Sequence, residues 1–242
     1  MKITTKRRIG FFEVNENFEL RPRALVNLLQ EAAVLHSRKA GYETPALMKK
    51  QRAWILHRIA IVVDRMPVFG DELEIVTWHK GSRKLRSYRD FEIMRNGEKL
   101  ASAASLWLFI DTGRKKILRP PEDALESYTV EPEDATDVDI DRWHPENRFE
   151  PESSLLIPTR ASDYDPLGHV NNALYLDYLD YLETLAERVF DAPYRMRKIF
   201  IQFNREIPKE VLTVEAGLKN NGDWYTFKIS SESGENAVGQ FR

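Results

Sequence analysis

Ten consecutive residues, Asp163-Tyr164-Asp165-Pro166-Leu167-Gly168-His169-Val170-Asn171-Asn172, hold the densest chemistry in this sequence. Pro166 and Gly168 force a turn, and Asn171 or Asn172 can cap a following helix with a side-chain oxygen. A helix start presents unpaired backbone N–H groups and the positive end of its dipole. Donors at Gly168, Asn171 and Asn172 could therefore hold the oxyanion that forms when water attacks a thioester carbonyl. Asp165 and His169, four residues apart, supply a base and a partner that orients it. Plainer roles fit the same residues: Asp163 and Asp165 suit turn positions, and His169 suits a hydrogen-bonded structural histidine. A calcium loop is excluded, because Leu167 and Leu174 stand where that loop requires oxygen ligands. The chain has no cysteine and no Gly-x-Ser-x-Gly elbow, which removes thiolate and serine-elbow chemistry.

The turn has to be carried by larger elements. Leu174, Tyr175, Tyr178, Leu179, Leu182, Leu185, Ala186 and Val189 recur at helical spacing, so a helix is expected from about Asn172 to Phe190. A strand near Leu155–Arg160 precedes it. Strands at Lys198–Glu206, Val211–Asn220, Trp224–Ser231 and Ala237–Phe241 follow. The first half has the same order: a strand at Arg8–Val14, then a helix opened by Pro22 whose apolar face is Ala24, Leu25, Leu28, Leu29, Ala32 and Leu35. Strands at Trp54–Asp64, Glu72–His79, Ser87–Arg95 and Lys99–Asp111 come next, with a hairpin at Asn96-Gly97. A helix stripe and a sheet face each need a partner, so each half reads as a long helix on an antiparallel sheet, an α+β unit used twice.

Composition sets the outer limits. The chain has 242 residues, 31% charged and 42% hydrophobic, with 36 cations against 38 carboxylates, so no global basic field recruits nucleic acid. The basic N-terminus lacks the apolar stretch of a signal peptide, and no run approaches the ~18 apolar residues of a membrane span. A cytoplasmic protein without a membrane span is expected. Twelve acidic residues against two basic ones between Glu122 and Glu152, with several prolines, suggest a surface connector. The expected organisation is a first repeat at 1–120, an acidic connector at 121–152 and a second repeat at 153–242.

Asp165-Pro166-x-Gly168-His169-Val170-Asn171-Asn172 resembles the active-site turn of hot-dog-fold thioesterases. In the first half, Leu28-Leu29-Gln30-Glu31-Ala32-Ala33, Trp54-Ile55-Leu56-His57-Arg58, Val62 through Asp71 and Arg89-Asp90-Phe91 are similar to the N-terminal hot-dog of acyl-acyl carrier protein (ACP) thioesterases, here in a bacterial form or a mature chain. Phe203-Asn204-Arg205-Glu206 falls where that family has a motif ending in a catalytic Glu. The resemblance spans about Arg7 to Glu215. Two departures stand out. Leu167 replaces the Asn of many members, and Ile207 replaces the Cys of some.

The resemblance implies a tandem, double hot-dog fold with the acyl chain in the N-terminal repeat and catalysis in the C-terminal one. It carries catalytic roles onto Asp165, His169 and Glu206, with no metal and no cofactor, and implies hydrolysis of fatty acyl-ACP to free fatty acid and ACP. Met48, Trp54 and Leu56 are candidates to close the acyl tunnel. An acidic carrier would dock on a basic patch, with Lys80, Arg83, Lys84, Arg86 and Arg89 as the first candidates and Lys49-Lys50-Arg52 as a second. The first repeat has Glu19-Leu20-Arg21-Pro22 at its helix start and no Asp/His cluster, so one active site per chain is expected, in a monomer or homodimer. An acyl-coenzyme A thioesterase is the nearest alternative. A hydratase spaces its Asp and His by five rather than four, and a non-catalytic acyl-binding module would not need Asp165, His169 and Glu206 together.

Overall fold

The computed structural model describes residues 1–146, 148–190 and 196–242; Asn147, inside the expected connector, lies outside the described residues. The chain forms two compact units, Met1–Arg142 and Trp143–Arg242.

In the first unit, β1 (Ile3–Arg8) leads through a 3-10 turn at Phe11–Glu13 into α1 (Pro22–Lys39) and the short α2 (Thr44–Lys49). Then come β2 (Arg52–Val63), β3 (Glu72–Arg83), β4 (Arg86–Arg95), β5 (Glu98–Asp111), β6 (Lys116–Leu118) and α3 (Glu122–Ser127). The sheet runs β1-β3-β4-β5-β2, all antiparallel, with β6 added on β5. Asn96 and Gly97 both have left-handed φ, which the two-residue hairpin between β4 and β5 requires. Pro22 opens α1, where its missing N–H costs nothing, and His36, Arg38 and Lys39 sit at the negative end of its dipole. Leu25, Val26, Leu29, Ala32 and Ala33 form its buried stripe, packed on β1 and β3. Ala24, Leu28 and Leu35, expected on that face, lie at its half-buried margin.

The second unit repeats this plan. β7 (Ser153–Pro158) leads through a 3-10 turn at Ala161–Asp163, and a further 3-10 turn at Asn172–Leu174 runs into α4 (Tyr175–Phe190). β8 (Lys198–Phe203), β9 (Thr213–Asn221), β10 (Trp224–Ser231) and β11 (Gly234–Phe241) follow. Its order, β7-β9-β10-β11-β8, is that of the first unit element for element. On α4, Leu176, Leu179 and Leu182 are fully buried, each contributing about 1.5–3 kcal/mol of apolar transfer. Asp177, Asp180, Glu183 and Glu187 stay out of that stripe.

Four differences from the sequence expectation have local causes. The first strand ends at Arg8 rather than Val14, because the Glu13 carboxylate turns back to accept the Gly10 N–H at 2.7 Å and the chain coils into a 3-10 turn. β8 stops at Phe203, so Glu206 lies beyond the strand end. α2, β6 and α3 are too short to leave a periodic signature. The acidic stretch also does more than connect. Ala124, Tyr128, Ala135 and Ile140 are buried in it. The Glu131 N–H donates to His79 O at 2.9 Å, and the Trp78 indole donates to Glu133 O at 2.9 Å. Carboxylate counting reads these residues as solvated and overlooks the apolar ones set between them.

Candidate active site

Backbone hydrogen bonds fix the turn before α4. Asp163, 2% exposed, accepts the Arg160 N–H at 2.8 Å and the Arg160 guanidinium at 3.0 Å, so its role is structural. Its own carbonyl accepts the Asn171 N–H at 3.0 Å. The Asp165 carboxylate accepts the Leu167 N–H at 2.8 Å in an Asx turn, while the Asp165 N–H donates to His169 O at 2.9 Å. Gly168 takes φ +84°, and its N–H donates to Asp165 O at 2.9 Å. The Val170 N–H donates to Ile207 O at 3.0 Å, tying the turn to the segment after β8. Asn171 caps the helix, its Oδ1 accepting the Ala173 N–H at 2.8 Å.

These bonds place the His169 imidazole beside Glu206, with Nε2 to Oε2 at 3.2 Å. The two side chains are 34% and 40% exposed, so water reaches both. Glu206 is held through its backbone. Next to it, Ile207 is fully buried as an anchor. Asn236, also fully buried in β11, donates from Nδ2 to Glu206 O at 3.2 Å and to Arg205 O at 3.4 Å. Asn204 and Arg205 donate their N–H groups to Asn236 O at 2.8 and 3.2 Å. Asn236 thus clamps the loop that carries the glutamate. Sequence reasoning missed it, although an asparagine amid the alternation of β11 is its visible signal.

The first unit contains the same turn without the same chemistry. Gly10 N–H bonds the Glu13 carboxylate as Arg160 N–H bonds Asp163. Asn15 Oδ1 accepts the Asn17 N–H at 2.9 Å, and the Asn15 N–H donates to Glu19 O at 2.8 Å, matching Asp165, Leu167 and His169. Leu20 N–H bonds Pro67 O at 2.7 Å as Val170 N–H bonds Ile207 O. The isolated bridge Glu19–Val68 answers His169–Pro208. By this correspondence Glu19 occupies the place of His169, and Met66 that of Glu206. A base-and-histidine pair exists at the second turn and not at the first.

Several expected site residues fall elsewhere. Of the proposed oxyanion donors, Gly168 and Asn171 are corrected, because their N–H groups are committed to Asp165 O and Asp163 O. The N–H groups of Asn172 and His169 make no hydrogen bond among the described residues. Met48 is 37% exposed on α2, a surface position rather than a tunnel wall, because the buried side of that short helix is Leu47. Leu56 is buried, and Trp54 packs at a tilt against Phe109 with ring centroids 4.9 Å apart and its indole N–H buried without an acceptor. The first basic patch is largely neutralised. Lys80 pairs with Asp90 at 3.4 Å and with Asp134, while Arg83 and Arg86 pair with Asp141. Arg89 is buried, donating to His36 Nδ1 at 2.7 Å, so it is no docking residue. Lys84 alone stays a loop cation, at φ +57° in the turn between β3 and β4. Among the described residues no helix is long and apolar enough to cross a membrane.

Known proteins resemble this chain in sequence and fold. Residues 1–128 match the model of the acyl-ACP thioesterase N-terminal domain, and residues 146–239 that of the C-terminal domain. The chain is 26% identical over 230 residues to a chloroplastic acyl-[acyl-carrier-protein] hydrolase of Cuphea viscosissima, covering 90% of this chain and 55% of that protein. It is 26% identical to the chloroplastic palmitoyl-acyl carrier protein thioesterase of Arabidopsis thaliana, covering 84% of this chain and 51% of that one. The chain therefore spans about half the length of the curated relatives it matches. In fold it is similar to the crystal structure of an acyl-ACP thioesterase from Bacteroides thetaiotaomicron, with TM-score 0.83, 21% identity and coverage of 99% and 96%. It is also similar to the 12:0-ACP thioesterase from Umbellularia californica, with TM-score 0.82, 20% identity and coverage of 100% and 96%. Both halves of the chain match models of one family, so this tandem hot-dog protein belongs to the acyl-ACP thioesterase family.

Proposed function

We propose that the chain hydrolyses fatty acyl-ACP thioesters to free fatty acid and ACP, with one active site at the turn before α4. The observation that carries this reading is the His169–Glu206 pair at 3.2 Å, set against Glu19 and Met66 at the matching positions of the first unit. Two turns with the same backbone frame differ where a hydrolase needs a base and its partner.

Glu206 is assigned as the general base. Its carboxylate takes a proton from the attacking water, whose oxygen bonds to the thioester carbon, and His169 keeps the carboxylate oriented. The resulting oxyanion is stabilised by the N–H groups of His169 and Asn172, an effect typically worth ~3–4 kcal/mol per donor. When the tetrahedral intermediate collapses, the carbon–sulfur bond breaks and the proton passes to the leaving thiolate. Asp165 holds the turn in this scheme, since neutral Asn15 makes the same Asx bond in the first unit. Attack by a carboxylate to form an anhydride is the competing route, and trapping the enzyme with labelled water distinguishes the two. Ile207 takes no part beyond anchoring. The acyl chain is assigned to the first unit, beside Trp54 and Leu56.

A panel of C6 to C18 acyl thioesters on ACP and on coenzyme A, with product analysis, tests the reading. Turnover of the ACP thioesters with release of free acid supports it. Turnover of the coenzyme A series alone would move the assignment to an acyl-coenzyme A thioesterase.

A further inference from the structure

Positive charge in this protein is unevenly placed. Residues 44–52 and 112–119 together carry seven cations and no carboxylate, leaving 29 cations against 38 carboxylates in the rest of the chain. These segments are far apart in sequence, yet the fold joins them. Arg52 pairs with Asp111 in the β2–β5 register, and Asp111 pairs with Lys116 in the β5–β6 hairpin. The Thr112 N–H donates to Gln51 O at 3.0 Å. A Cβ on Gly113 would come within 2.6 Å of Gln51 Oε1, so the two loops touch.

The surface so built presents Lys49, Lys50, Arg114, Lys115, Lys116 and Arg119, all exposed. Of these, Lys49, Lys50, Arg114, Lys116 and Arg119 meet no carboxylate within ion-pair distance among the described residues. Two carboxylates bordering these segments are already engaged: Asp111 by Arg52 at 2.8 Å and by the Arg114 N–H at 2.9 Å, Glu43 by Arg38 at 3.2 Å. Met48 and Ile117, 37% and 49% exposed, place two apolar side chains among the cations. Crowding this many like charges together is unfavourable for the fold alone, and it is relieved by an anionic partner. The patch around Lys80, Arg83 and Arg86 differs, because the chain's own acidic segment supplies its counter-charges.

We propose that the corner formed by α2, the start of β2 and the β5–β6 hairpin is the docking surface for an acidic carrier protein bearing the acyl group. The inference rests on the carrier-thioester reading above and names the surface that reading lacks. Docking there is steered by charge, so it shows in KM and salt dependence while kcat stays put.

The test compares the unaltered chain with the double variants K49E/K50E and R114E/K116E, and with K6E as a control at an exposed β1 cation already paired with Glu74. Each is assayed on an acyl-ACP and on the same acyl group as a neutral N-acetylcysteamine thioester. Charge reversal at the corner is expected to raise KM for acyl-ACP at least about tenfold and to flatten its salt dependence. Turnover of the small thioester by every variant, and of acyl-ACP by K6E, is expected to stay within twofold of the unaltered chain. Equal losses on both substrates, or unchanged KM on acyl-ACP, would overturn the docking surface. Alanine versions of the four positions separate charge from damage, because they must fall between the two extremes. If the unaltered chain cleaves the small thioester and not acyl-ACP, or cleaves neither, the functional reading has failed first. Binding of unloaded ACP, followed by fluorescence anisotropy, then decides the surface: binding lost in the charge reversals supports it, and no binding overturns it.

Discussion

Replacing Glu206 by Gln is the sharpest perturbation of the proposed site, because it keeps volume and removes charge and basicity. Its two consequences separate cleanly. The His169–Glu206 contact joins two side chains that are 34% and 40% exposed, where solvent screens an ion pair to about 0–1 kcal/mol. The carbonyl of residue 206 remains bonded by Asn236 whatever the side chain is. Stability should therefore shift by less than about 1 kcal/mol, or a few degrees in Tm. Catalysis should shift far more. A positioned general base contributes about 10²- to 10⁴-fold, equivalent to about 2.7–5.5 kcal/mol of barrier, and Gln cannot take a proton. His169→Ala should lose activity of the same order, and the double variant no more than the worse single, since the pair acts as a unit. The assay is steady-state hydrolysis of acyl-ACP and of a small thioester, run beside thermal unfolding. If Glu206→Gln and His169→Ala both keep turnover within a few-fold of the unaltered chain, the base assignment is wrong. A loss of activity matched by a large loss of Tm would show instead that Glu206 serves the fold.

Asn236→Ala removes two hydrogen bonds to the Glu206 loop from a fully buried position, at a cost of about 1–3 kcal/mol, and should lower kcat on both thioesters with little change in KM. Unchanged kcat would mean the loop holds its shape without the clamp. Gly168→Ala puts a Cβ at φ +84° with no neighbour in its way, so the penalty is conformational alone, about 1–2 kcal/mol by urea unfolding. Acid stability should report the buried cluster around Arg89. Burial, then the neighbouring Arg89, hold His36 down to about 3 and His79 to about 4, well below the usual 6.5. Both fold neutral, so their contribution is present above pH 6.5 and is lost as pH falls toward 4, by up to about 1.4 kcal/mol per pH unit each. Asp90, raised by burial to about 6, acts in the opposite sense: its contribution is whole below pH 3.8 and is lost as pH rises to 6. The net slope between pH 4 and 6 should be that of about one proton, and His36→Gln should flatten it; an unchanged slope in urea unfolding from pH 7 to 4.5 would refute the burial argument.

Helices and hairpins were legible in the sequence wherever one period persisted long enough to stand out. α1, α4 and the strands from β2 to β5 follow the alternation or the three-and-four spacing within a few residues. Asn96-Gly97 marked its hairpin because few residues other than Gly and Asn accept left-handed φ twice running. What stayed hidden depends on long-range partners. Nothing near Lys80 or Arg86 in sequence shows that Asp134 and Asp141 will cancel them. Nothing near Lys49 shows that a hairpin more than sixty residues away will add four more cations beside it. Arg89 read as surface charge because Arg is seldom buried without a carboxylate, yet here His36 and Thr77 take its hydrogen bonds.

The duplicated turn shows what separates scaffold from chemistry in this chain. Both copies close the same backbone bonds, so those bonds answer to the geometry of entering a helix from a sheet edge and say nothing of catalysis. Asp165 illustrates the point: its Asx bond belongs to the turn, since Asn15 makes the same bond without any charge, and only the carboxylate is particular to the second copy. Phe18 even accepts φ +61° where the second copy uses Gly168, so the left-handed position is also a property of the turn. Once the shared features are set aside, the positions that differ in chemical capacity are Glu19 against His169, Met66 against Glu206 and Asn15 against Asp165. His169 stood out in the sequence because its whole neighbourhood is local. Glu206 did not, since its place opposite His169 is set by the Val170–Ile207 bond and the Asn236 clamp, both made across long stretches of chain. The family resemblance supplied Glu206 where local spacing could not, and the turn that first drew attention is half of a site whose other half is held by tertiary contacts.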